Sequence, residues 1–85
     1  MKFCEHVYVF RQNGSIKDNE PHLQNMLSSE KFWKMIPDGT LEAAELPYVK
    51  CYNKHSPDNN KVVQVIERID PIKGNWITEI FYLKL

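Results

Sequence analysis

Eighty-five residues, 42% apolar and 26% charged, suffice for one core in a single domain over 1–85 and argue against a disordered chain. Eleven basic and eleven acidic side chains cancel, so no long-range field steers the chain to nucleic acid or an anionic membrane. No run approaches the roughly 20 apolar residues of a membrane span, and Glu5 and His6 interrupt the opening Met-Lys-Phe-Cys-Glu-His, so a cytoplasmic setting is expected.

Residues 3–11 are rich in β-branched and aromatic types and read as a first strand. Asn13-Gly14 follows with the positive φ angles of a tight turn, and residues 15–17 read as a brief returning hairpin arm. Asp18-Asn19-Glu20-Pro21 resembles a helix start, because short acceptors cap free amides and proline is tolerated in a first turn. Leu23, Met26 and Leu27 share one helical face, and Phe32, Trp33 and Ile36 continue out of phase. Ser28-Ser29 marks the slip, either as a break with a second cap at Ser29 or as one helix with a wide apolar face.

Pro37-Asp38-Gly39 ends that segment by turn chemistry, and residues 40–46, stopped by Pro47, are compatible with a short helix capped by Thr40 or with a strand. Three strands follow, over 48–53, 62–69 and 76–83, joined by loops dense in turn residues. Short loops favour antiparallel neighbours. The expected fold is therefore a two-layer α+β domain in β-α-β-β-β order, with a mainly antiparallel sheet of about four strands and helices on one face.

Alternation splits each strand into two sets of side chains. Placing the more apolar sets (Val49 and Cys51; Val63, Val65 and Ile69; Ile77 and Phe81) under the helices leaves an aromatic second face. That face holds Tyr48, Tyr52, Ile66, Trp76, Ile80 and Tyr82, interleaved with Lys50, Gln64, Arg68 and Lys84. Each aromatic covers roughly 150–250 Å² when buried, and Tyr, Trp and Arg dominate binding hot spots. The competing expectation is an ordinary solvent face, where Tyr, Thr and Lys stabilise cross-strand pairs, or one covered by residues 40–46 or the first strand. Trp33 adds a second candidate, since Phe32, Trp33, Met35 and Ile36 exceed what one helical stripe buries, although core packing around a helix end is the leading reading of these residues.

Catalytic constellations do not assemble. The three glycines are isolated in turns, so no phosphate-cradling loop exists, and the serines sit at turns or caps. Glu42 and Glu45 fit a solvated helix surface, and Glu67 and Glu79 are candidates for cross-strand neighbours. Cys4-x-His6 and Cys51-x3-His55 would make a zinc site only if the first two strands were adjacent. Buried thiols and surface histidines are the expectation, with no cofactor and no metal.

The favoured function is a small non-catalytic binding protein, a stoichiometric modulator or inhibitor of a larger protein, compatible with a homodimer. Its contact residues would be Tyr48, Lys50, Tyr52, Ile66, Arg68, Trp76, Ile80 and Tyr82, with Trp33 apart. A single-stranded RNA or DNA binder using the same aromatics has less support from the balanced charge. A small enzyme subunit whose site a partner completes stays open.

Overall fold

The computed structural model describes residues 5–39 and 47–84. It contains β1 (Glu5–Asn13), α1 (Ile16–Leu27), α2 (Glu30–Lys34), β2 (Lys50–His55), β3 (Val62–Ile69) and β4 (Trp76–Lys84). The α+β class and the β-α-β-β-β order match the expectation. The undecided 40–46 segment with Glu42 and Glu45, and Cys4, lie outside the described residues.

The strands form one antiparallel sheet in the order β1-β4-β3-β2. The chain therefore leaves β1 at one edge, passes through both helices and begins the meander at the opposite edge. β3 and β4 occupy the centre, and their sequences, Val-Val-Gln-Val-Ile-Glu-Arg-Ile and Trp-Ile-Thr-Glu-Ile-Phe-Tyr-Leu-Lys, are apolar on both parities. A bulge between Tyr8 and Phe10 shifts the β1 register by one residue.

Local chemistry sets the helix starts. Ser15 caps α1: its hydroxyl accepts from the Asp18 amide at 3.2 Å, and the Asp18 carboxylate accepts from the Ser15 amide at 3.3 Å. Helix α1 thus begins at Ile16, and the expected hairpin arm over 15–17 is its first turn instead. Pro21 falls inside the helix rather than at its start. The break at Ser28-Ser29 is real, with the Ser29 hydroxyl accepting from the Phe32 amide at the head of α2.

The helices lie on one face of the sheet. Ile16, Leu23, Phe32, Trp33 and Ile36 meet Val63, Val65 and Ile80, and Phe10, Tyr52 and Tyr82 pack around them. Polar contacts dock the head of α1. Glu67 accepts from the Ile16 amide, one of the free donors of the first turn. Asn19 donates to the carbonyls of Asn13 and Gly14 and to the Thr78 hydroxyl, which itself donates to Gly14.

The register fixes which side chains share a face. Tyr52, Val65, Ile80 and Phe10 stand in one row across the four strands, and Cys51, Ile66, Glu79 and Arg11 in the next. The first row lies under the helices. The second is on the far side, where Ile66, Ile77 and Glu79 are nevertheless fully buried. The expected exposed face opposite the helices is therefore absent from the central strands. Val63 and Val65 were placed on the correct side, whereas the sets of β2 and β4 are inverted.

Candidate functional site

The nine nominated contact residues separate into three groups. Tyr52, Ile80 and Tyr82 belong to the helix-covered core, and Trp33 is buried with them. The Trp33 indole donates to the Leu27 carbonyl at 2.6 Å and meets Phe32 edge to face at 5.1 Å. Burial pushes the Tyr52 hydroxyl pKa up, and the negative charges of Glu20 and Glu67 add to it. None of these four presents an open surface as expected; Met35 is the α2-region side chain that faces outward.

Ile66 and Arg68 lie on the far side of β3. Ile66 is fully buried, and Arg68 is paired at 2.5 Å with the buried Glu79 carboxylate. Glu67 faces the helices and stands opposite Thr78, so the expected Glu67–Glu79 coupling is replaced by two separate carboxylates on opposite faces.

Tyr48, Lys50 and Trp76 remain exposed, and they occur together at one end of the sheet. Two links hold this end: the Val49 amide donates to the Glu67 carbonyl at 2.8 Å, and Trp76 pairs with Ile69 across the β3–β4 hairpin. Of the seven large apolar side chains exposed among the described residues, five are here: Tyr48, Val49, Ile69, Ile72 and Trp76. Ile72, at the hairpin tip, is 92% exposed. An open hollow of about 330 Å³ is lined by Pro47, Tyr48, Val49, Arg68, Ile69 and Pro71.

The hairpin that displays Ile72 is held from inside. The Asp70 carboxylate accepts from the amides of Ile72 at 2.8 Å and Lys73 at 3.3 Å. The Arg11 guanidinium of β1 donates to the same carboxylate at 2.9 Å. The Asp70 amide donates to the Asn75 carbonyl, and Gly74 closes the turn at φ +71°, a conformation that favours glycine. The two amides first, and then Arg11 and Lys73, hold the Asp70 carboxyl below the usual aspartate range, outweighing the opposing effect of desolvation. The apolar end is rimmed by Lys50 and Lys73, while Arg68 is neutralised by its pairing with Glu79.

Sequence reasoning missed Val49, Ile69 and Ile72. Val49 and Ile69 were assigned to the helix-covered face on apolar character. Ile72 had a legible signal: a branched apolar residue between proline and lysine in a turn has no core to enter.

Two further hollows are lined by described residues. One of about 470 Å³ runs between the helices and β1, past Phe10, His22, Met26, Phe32 and Met35. The other, about 360 Å³, is lined by residues including Trp33, Lys34, Ser56, Asp58 and Lys61. The Ser56 hydroxyl donates to Asp58 and accepts from the Lys61 amide. The Ser56 hydrogen bond and the Asn60 amide hold the Asp58 carboxyl low, which is turn chemistry. β1 and β2, which carry His6 and Cys51 with His55, lie at opposite edges with two strands between them. Among the described residues no three metal-ligating groups come together. No helix there is long and apolar enough to cross a membrane.

Fold and site define an α+β chain, one four-stranded antiparallel sheet with two helices, that has an apolar, cation-rimmed end. Comparison with known proteins returned no match to a protein family, a curated protein or a solved structure.

Proposed function

We propose that this chain is a non-catalytic binding module that engages a larger protein through the end of the sheet formed by Tyr48, Val49, Ile69, Ile72 and Trp76. The observation that carries the reading is the gathering of these exposed side chains at one end of the sheet, where Asp70 holds the hairpin that carries Ile69, Ile72 and Trp76 and the Val49 amide ties the start of β2 to Glu67. Rigid display limits the entropy lost on docking, and an aromatic and aliphatic centre with a cationic rim has the anatomy of a protein interface. The reading keeps Tyr48, Trp76, Lys50 and Arg68 from the sequence-derived contact set and moves the contact from the sheet face to its end. A cytoplasmic setting, in which Cys51 stays a thiol, accords with it. Stacking of unpaired bases has less support, because Tyr52 and Tyr82 pack against the helix-side core.

The test is affinity capture from a nuclease-treated lysate of the source cells. The wild-type chain should retain one protein at fixed stoichiometry, and Val49→Ser with Ile72→Ser should lower recovery at least about tenfold, as loss of central apolar contacts does. Equal recovery by the double variant, or recovery that depends on nucleic acid, refutes the proposal.

A further inference from the structure

β2 is an edge strand. Among the described residues it pairs only with β3, so no described strand uses the backbone donors and acceptors of its other side. The opposite edge differs: β1 carries the bulge, and its Arg11 is engaged by Asp70. β2 reads Lys-Cys-Tyr-Asn-Lys-His, with two lysines and no carboxylate. Lys50, Asn53, Lys54 and His55 are exposed.

Two acids lie near this strand: Glu67, which stands opposite Lys50 and accepts from the Ile16 amide, and Glu20, whose charge reaches Tyr52. Among the described residues the ion pairs are Arg11–Asp70, Lys61–Asp38 and Arg68–Glu79, none of which uses a β2 lysine. The Lys54 ammonium lies 5.0 Å from the Tyr52 ring centroid.

Edge lysines oppose pairing between copies, because no register of β2 against itself meets a carboxylate. A carboxylate-bearing strand meets the reverse situation. Resting on the protein-binding reading above, the geometry points to strand addition: β2 accepts an extended acidic segment of the partner as a fifth strand. Main-chain hydrogen bonds supply the attachment, and side chains supply the choice. Lys50 and Lys54 share a face about 13 Å apart, so the segment carries carboxylates four residues apart. The hollow beside Tyr48, Val49 and Ile69, where β2 begins, receives an apolar side chain at one end of that segment. A nucleic acid would use the charge but not the backbone edge.

The test uses the full chain and a blocked eight-residue peptide with Leu at one end, two Glu four residues apart and Thr or Val elsewhere. Amide exchange and chemical shifts are followed residue by residue. The peptide should slow exchange of β2 amides at least tenfold. Replacing Glu by Lys, or methylating alternate peptide amides, should weaken binding at least tenfold. Lys50→Glu with Lys54→Glu, at exposed positions, should reverse the preference between acidic and basic peptides. Perturbation of Ile72 and Trp76 without protection of β2 would overturn strand addition while leaving the apolar end as a docking site. No perturbation of either would overturn it as well, with no support for the apolar end. Protection of β2 that grows with protein concentration and no peptide would assign the edge to a second copy and overturn it. Tighter binding of oligo(dT) than of the acidic peptide would do so too.

Discussion

At the scale of residues, Asp70 connects two strands and a turn through one carboxylate, since it holds the Ile72 and Lys73 amides and the Arg11 guanidinium. Its folded-state pKa is lowered, so its contribution to stability is complete above the unfolded value near 4 and disappears as pH falls through the folded value. Urea midpoints of wild type and Asp70→Asn should therefore be well separated at pH 6 and draw together as pH falls below the ordinary aspartate value of about 4. A separation independent of pH would contradict this role. Trp33 belongs to the core. Trp33→Phe removes the hydrogen bond to the Leu27 carbonyl and should cost roughly 1–2 kcal/mol, measured by denaturation. Core packing is the leading sequence reading of this run, but the pattern does not say which large side chain turns outward. Met35 takes that position.

At the scale of elements, the three C-terminal strands and the first strand were legible, because turn residues act locally, while the break at Ser28-Ser29 was one of two open readings. The start of α1 was misread for an equally local reason. Ser15 and Asp18 form a reciprocal cap three residues apart, and the Asn-Gly turn before them suggested a hairpin instead. Ser15→Ala should lower stability by about 1 kcal/mol in chemical denaturation. Pro21 cannot donate to the Lys17 carbonyl four residues back, so Pro21→Ala should raise stability by on the order of 1 kcal/mol. A loss of stability would mean that the proline ring makes a packing contact worth more than the missing bond. The faces were illegible because alternation reports a half-exposed strand, and β3 and β4 are shielded on both sides. Splitting Trp76–Lys84 into apolar and aromatic sets then assigned Ile80 and Tyr82 to the wrong layer.

At the scale of the molecule, order β1-β4-β3-β2 centres the most apolar strands and leaves the cationic strand β2 at an edge. Strand order depends on contacts distant in sequence, which single-strand patterns do not encode; the gathering of Tyr48, Val49, Ile69, Ile72 and Trp76 depends on it too. Core and display positions should respond oppositely to substitution. Ile80→Ala should cost about 2–5 kcal/mol, whereas Ile72→Ser should stay within about 0.5 kcal/mol of wild type in urea denaturation. The most direct measurement of the docking claim is site-specific photocrosslinking in the source cells, with a benzophenone amino acid replacing Ile72 or, as a control, the exposed Lys31 of α2. The docking end predicts one discrete adduct with another protein from position 72 and none from position 31. Equal adducts from both positions, or none from position 72, would contradict it.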